Sequence, residues 1–407
     1  MRRCADIDPV ASVQPARAER LTSLDGLRGL AALVVLTHHV VLAGVPLLAA
    51  AYVAGNHAAV PGWAHLLIYS PLHLLWAGEE FVLVFFALSG FVLTMPTVRG
   101  RAFSPARYYP YRLLRLYGPV WAAILFAVVL RSLTPHEAVH GATWWLNAHT
   151  ESTSAWELEH DGTLIFGTGG FAATSVLWSL RWEVLFSLFL PVFLFIGKRT
   201  RGMPWVVAAV CFTALALSGS HDSPRFMPAF LLGSLMAFQI DRLRVWGVRL
   251  QEPSAVNRAV KIGLVAACVV AMTSVWWIHP RSAAVEHALR AVVTAGACIA
   301  VALPLLLGSV RSFLETPVMQ WAGSRSFSLY LVHEPIVVAS AFALGGTASV
   351  ALLAAIAIPV ALVAADGFFR VAERPIHRWS RALGLWVESK VSAAAAASRR
   401  SRFQGSA

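Results

Sequence analysis

The chain has 407 residues, of which 57% are apolar and only 13% charged, against about 25% charged in an ordinary soluble domain. That composition excludes a soluble globular class and predicts an all-α, polytopic membrane helix bundle. The net charge of +12 does not point to nucleic acid, because no segment interleaves basic and aromatic residues on a soluble fold, and basic loop ends are what membrane orientation requires.

Residues 1–20 carry Arg2, Arg3, Arg17 and Arg20 but no continuous apolar core, so they read as a cytoplasmic N-terminal arm and not as a cleavable signal peptide. The first span then acts as its own insertion signal. Windows of about 20 apolar residues, enough to cross about 30 Å of hydrocarbon, can be placed about ten times. They fall near 24–45, 76–97, 113–133, 177–197, 203–219, 225–241, 260–278, 284–308, 324–344 and 347–369. The windows near 203–219 and 225–241 are short, and the one near 324–344 is rather polar.

Lysine and arginine fill alternate connections. None occurs from Val40 to Val98 or from Ser132 to Leu180, whereas Arg99 to Arg115, Lys198 to Arg201, Arg242 to Lys261 and the tail from Arg370 are rich in them. The alternation predicts that both termini are cytoplasmic and that the chain is a multi-pass protein of the plasma or inner membrane. Residues 21–385 form one membrane domain on this reading. Residues 386–407, Ala-rich and then Arg/Ser-rich, read as a disordered cytoplasmic tail or one lying on the membrane surface. Cys4, Cys211, Cys268 and Cys298 form no CxxC pair, so neither a disulfide framework nor a metal site is expected.

Taken in chain order, the polar residues inside the spans are the candidates for chemistry. Arg28 and His39 lie in the first span; eleven helical steps return to within about 20° of the same face, roughly 16 Å further along the axis. His38 points about 100° away. Ser89-Gly90, set between aromatics in Phe85–Phe91, reads as a close helix contact. Arg112 and Arg115 share a helix face at the cytoplasmic level of Arg28 and suit a phosphate-rich ligand; the alternative is positive-inside anchoring by snorkelling side chains.

The outer connection from Thr134 to Ser175 is long and holds Trp144, Trp145 and Trp156, carboxylates that include Glu151, and histidines 136, 140, 149 and 160 without clear metal-ligand spacing. Its aromatics and carboxylates suit either a sugar or membrane anchoring. Glu183 sits about 9 Å below the outer end of the fourth span, at a depth like that of His39, where it either orients that histidine or pairs structurally. Ser326, Tyr330 and His333 make one polar stripe that either lines a cavity or joins helices. Glu373-Arg374-Pro375 reads as a structural lock before a helix-ending proline.

The ordered set of these segments resembles the acyltransferase-3 family of membrane O-acyltransferases. The resemblance rests on Arg28-x10-His39, Phe85–Phe91 as FFxLSGF, Arg112 and Arg115 followed by Pro119, Trp178–Phe186 as WSLxxExxF, Phe230–Gly233 as FxxG, Ser326–Pro335 as SFSLYLxHxP, and Glu373–Pro375. Gly118 adds one residue before Pro119. These motifs extend in order over residues 21–378 and make 21–385 the acyltransferase-3 membrane domain.

The resemblance implies transfer of an acyl group from cytoplasmic acyl-CoA, usually acetyl-CoA, to a hydroxyl of an extracytoplasmic acceptor. Cell-envelope or exported glycan is the expected acceptor, and a small-molecule metabolite such as a macrolide is the alternative. On this expectation Arg28, Arg112 and Arg115 hold the CoA phosphates, His39 is the general base, Glu183 orients it, and Tyr330, Ser326 or His333 donates to the oxyanion. A covalent acyl-histidine is the other route. Membrane lipid is the surrounding partner, and no nucleic acid or metal is expected. The rival of another class is a glycolipid transporter, against which the lack of broken-helix repeats counts.

Overall fold

Each long apolar window in the sequence becomes a helix, because backbone groups inside hydrocarbon must bond within their own segment. The computed structural model describes residues 21–53, 60–134, 136–150, 153–165, 171–217, 222–278 and 282–404. The N-terminal arm, Cys4 and Glu151 lie outside the described residues. Among the described residues there are helices and no strand.

In chain order, helix α1 (Thr22–Gly44) is followed by the short α2 (Pro46–Ala50) and α3 (Gly62–Ile68), then α4 (Gly78–Val98) and α5 (Pro105–Leu133). The next connection holds α6 (Trp144–Asn147) and α7 (Ala155–Thr163) and leads to α8 (Leu177–Arg199), α9 (Pro204–Leu217) and α10 (Asp222–Phe238). After α11 (Ile240–Gln251) come α12 (Ala255–Ile278), α13 (Ala283–Leu306), α14 (Gly308–Leu314), α15 (Pro317–Ala343), α16 (Val350–Phe368) and α17 (Arg374–Gln404). Prolines at the first turn start α2, α5 and α15, where the missing N–H has no partner to lose. A reciprocal capping box between Ser154 and Glu157 starts α7.

Among the described residues, eight helical runs are long and apolar enough to cross a membrane: α1, α4, α5, α8, α12, α13, α15 and the run beginning with α16. The remaining two of the expected ten are α9 and α10, apolar helices of 14 and 17 residues. At 1.5 Å per residue they span only about 21 to 26 Å, less than a typical hydrocarbon core. Helix α5 begins eight residues before the expected window, so Arg112 and Arg115, expected on one helix face, lie well inside the helix.

Small residues set the tightest crossings. A Cβ on Gly29 would fall 2.5 Å from the Gly323 backbone nitrogen, and one on Gly323 would fall 2.1 Å from the Asp25 carbonyl oxygen. Helices α1 and α15 therefore touch backbone to backbone and run in the same direction, with His39 beside His333 further along. The α4–α10 crossing follows the same rule: a Cβ on Gly90 or Gly233 would lie 2.0 Å from the carbonyl oxygen of Phe230 or Ala87. Thr94 donates to Ser234 and Ser234 to the Gly90 carbonyl at that crossing. The Ser-Gly step thus acts as the expected close contact. Helix α15 is central, with 83% of its apolar window buried, whereas α12 is peripheral at 22%.

The Glu373-Arg374-Pro375 lock holds Ser328 of α15, whose N–H and Oγ both donate to the Glu373 carboxylate. Pro375 does not end the helix. A π-helical turn, Phe369–Glu373, shifts the bonding register just before it, which removes the carbonyl clash and missing donor that a mid-helix proline would otherwise impose. The chain continues as α17 along α5, with Gly384 against the Arg107 carbonyl and His377 Nε2 at 3.1 Å from Tyr111 Oη. Beyond Leu385, where disorder or a surface position is expected, α17 continues as a helix through Gln404, exposed from Ser389 to Ser398. Its Ala393–Ala397 run is the best of helix formers.

Candidate active site

Two cavities occupy the middle of the bundle, one on each side of Tyr330. The first, with about 620 Å³ of open space, is lined by Arg28, Ser89, Arg112, Arg115, Glu183 and Ser326 among others. Residues of five helices, α1, α4, α5, α8 and α15, meet there. Three guanidinium groups face one carboxylate, so the cavity carries an excess of positive charge. The sequence stripe Ser326–Tyr330 faces this space, while His333 lies deeper.

The arginines are not equivalent. Arg112 is buried and donates to Glu183 and, through Nε at 3.0 Å, to Ser187. Removing either partner of such a buried pair leaves an uncompensated charge. Arg115 donates to Tyr111 Oη at 2.7 Å, beside the α17 face. Arg28 is half-buried and lines the cavity. Glu183 therefore does not orient His39; its carboxylate holds Arg112. Depth along a helix gave both groups similar height, but azimuth depends on how α8 is turned toward α5, which no single-helix calculation contains.

The second cavity, with about 730 Å³ of open space, is lined by His38, His39, Tyr52, Trp144, Trp145 and Glu79 among others. The bonding pattern assigns the proton on each of two rings. His333 Nδ1 lies 2.9 Å from the Leu329 carbonyl oxygen, so it carries hydrogen and leaves a lone pair on Nε2. His39 Nδ1 meets that lone pair at 2.9 Å and the Val35 carbonyl at 3.1 Å, two acceptors, so it donates. The lone pair of His39 then resides on Nε2, the arrangement a general base needs. His333 is fully buried behind His39 and lines neither cavity; both its ring nitrogens are engaged, by the Leu329 carbonyl and by His39, whereas Tyr330 and Ser326, the other two expected oxyanion donors, line the first cavity.

His38 turns elsewhere. Its Nδ1 lies 2.9 Å from the Trp76 carbonyl, and its ring fills the space beside Gly78, where a Cβ would fall 2.5 Å from Cγ. Tyr52 Oη reaches both His38 Nδ1 at 3.5 Å and His73 Nε2 at 3.3 Å, forming an aromatic wall with Trp76 and Trp276. Tyr330 closes the other side: its hydroxyl is 2.6 Å from Ser179 Oγ and 3.2 Å from the Val176 carbonyl, to which it donates.

Sequence reasoning missed Glu334. This buried carboxylate accepts from Ser175 N and Oγ at 2.8 Å, Val176 N at 3.0 Å and His149 Nε2 at 3.0 Å. It clamps the outer connection to α15 next to His333. The signal was present, since an acidic residue inside a span is a site hypothesis by default. His149 packs on Trp145, whose ring stands 5.3 Å from that of His39. Burial of His149 disfavours its charge, but the adjoining Glu334 carboxylate more than offsets that and raises its pKa above the ordinary value. Among the described residues no cluster of three or more His, Cys, Asp or Glu side chains forms a metal-holding group.

The polytopic helix bundle thus sets a basic cavity against a histidine-bearing one, an arrangement compatible with a membrane group-transfer enzyme. Residues 21–370 match the acyltransferase-3 family model, described as an acyltransferase domain, and the chain belongs to that family. A relative, acyltransferase MdmB of Streptomyces mycarofaciens, is 27% identical over 400 residues, covering 89% of this chain and 93% of the relative. No solved structure matches the chain significantly. The protein is thus an acyltransferase with multiple membrane-crossing helices.

Proposed function

We propose that the enzyme moves an acyl group, acetyl in the first instance, from cytoplasmic acyl-CoA to a hydroxyl on an extracytoplasmic acceptor, most naturally a cell-envelope or exported glycan. The observation that carries this reading is the juxtaposition of the two cavities at Tyr330, with arginines in one and the His39 lone pair in the other. Arg28 and Arg115 bind CoA phosphate oxygens through paired guanidinium hydrogen bonds, and Arg112, held by Glu183, adds fixed positive charge behind them. The pantetheine arm covers the interval of roughly 16 Å along α1 between Arg28 and His39.

In the reaction, His39 Nε2 removes the acceptor hydroxyl proton while the oxygen attacks the thioester carbonyl carbon. The carbonyl oxygen takes the negative charge, and Tyr330 or Ser326 donates to it by turning its hydroxyl proton away from the Val176 or Gly323 carbonyl, respectively. Collapse breaks the C–S bond, and the CoA thiolate takes back the proton from the His39 imidazolium. His333 holds the productive tautomer throughout.

Trp144, Trp145 and Trp178 offer flat faces to a sugar ring in the acceptor cavity. The apolar share of that wall, Val35, Leu42, Val82 and Val176, favours a second reading in which the acceptor is a small hydroxylated metabolite such as a macrolide. Transfer of labelled acetyl from acetyl-CoA to glycan and small-molecule acceptors by purified protein tests both. His39→Ala is expected to lower kcat by about 10²- to 10⁴-fold, and Arg28→Ala to raise the KM for acetyl-CoA. Normal transfer in both variants would reject the site. Substrate movement across the membrane that survives His39→Ala, without acyl transfer in the wild type, would favour a glycolipid transporter.

A further inference from the structure

Val82 on α4 and Tyr330 on α15 line both cavities, and they are the two lining residues the cavities share. These two side chains mark where the arginine side meets the His39 side. Tyr330 is a fixed post. Its hydroxyl is engaged by Ser179 and the Val176 carbonyl, its ring meets the edge of Phe85 at 5.8 Å, and it is 6% exposed. Val82 is 4% exposed and lines the same boundary from α4, with no polar tie. A β-branched side chain in a helix keeps essentially one rotamer, so its two methyl groups form a rigid, purely steric edge to the passage.

We infer that Val82 sets the length of the acyl group the enzyme accepts, because the acyl chain lies against its methyl groups when the thioester carbonyl reaches the boundary at Tyr330. This rests on the donor occupying the arginine-lined cavity. An acetyl group ends at the boundary, whereas each added methylene must fit beside Val82 or push toward the acceptor space. Steric discrimination against one methylene in such a slot amounts to about 10-fold or more. Truncation to alanine removes both methyls and opens the slot, while isoleucine adds one carbon and narrows it.

The test needs no acceptor. Unreactive S-ethyl, S-propyl and S-butyl thioethers of CoA stand in for acetyl, propionyl and butyryl donors, and their affinities are measured by displacement of labelled acetyl-CoA from the purified full chain, each relative to unsubstituted CoA. Val82→Ala is expected to raise the relative affinity of the S-butyl compound by about 10-fold, and Val82→Ile to lower that of the S-propyl compound by a similar factor. Ratios within about twofold of wild type in both variants, or shifts in the same direction in both, would overturn the assignment to Val82 and leave the donor site standing. Failure of the wild-type protein to bind CoA would overturn the donor reading itself, and this inference with it.

Discussion

Whether His39 can accept a proton depends on which of its nitrogens already holds one. The Leu329 carbonyl fixes the His333 proton on Nδ1, and His333 in turn fixes the His39 proton on Nδ1. Losing this relay leaves His39 with only the Val35 carbonyl and a freer ring. His333→Ala is expected to lower kcat between about 10²- and 10⁴-fold, with the KM for acyl-CoA within about twofold, because no donor contact is lost. His333→Gln, which can place an amide oxygen near the vacated Nε2 position, should recover much of the rate. Equal kcat in wild type and both variants would exclude an orienting role. Arg28 and His39 were legible as a pair because both sit on one helix, where 3.6 residues per turn settles their faces. The partner of His39 was not, since Glu183 and His333 stand on different helices and only packing decides which of them arrives.

The elements show the same division between local and tertiary information. Ser89-Gly90 could be read as a close contact from composition, but that Gly90 and Gly233 seat against each other's helices became visible only with α4 and α10 packed. The outer connection is a stronger case. Its histidines have no motif spacing, yet Glu334 gathers His149, Ser175 and Val176 into one clasp that bears on Trp145 over the His39 cavity. The His149 pKa is raised in the fold, so its pairing contributes stability that is fully present below the unfolded value of about 6.5 and is lost as pH rises through the folded value. The clasp should therefore loosen on going alkaline. Amide hydrogen exchange at Ser175 and Val176, corrected for intrinsic rate, is expected to accelerate over that window in wild type and to show no such step in His149→Gln. A step of equal size in the variant would mean that another group drives the loosening.

At the scale of the whole molecule, the two cavities give the bundle a direction. The cavity with Arg28 and Arg115 lies toward the end of α1 from which the chain enters, and the His39 cavity toward the end covered by α6 and the residues before α8. The lysine and arginine alternation predicts that the first end faces the cytoplasm, the compartment that would supply the proposed acyl-CoA donor. Charge counting alone cannot connect side to chemistry, because it ignores where along each helix the polar residues face inward; the cavities supply that link. A sealed-vesicle experiment decides the matter. In inside-out vesicles, acetyl-CoA added to the bath should support acylation of an acceptor enclosed in the lumen, with no need for a permeabilising agent. In right-side-out vesicles the same addition should be silent until CoA is loaded inside, while acceptor in the bath is then modified. If bath acetyl-CoA and bath acceptor reacted together in intact right-side-out vesicles, donor and acceptor would share one side. The positive connections would then still describe insertion, but the interval between Arg28 and His39 would no longer describe a path across the membrane.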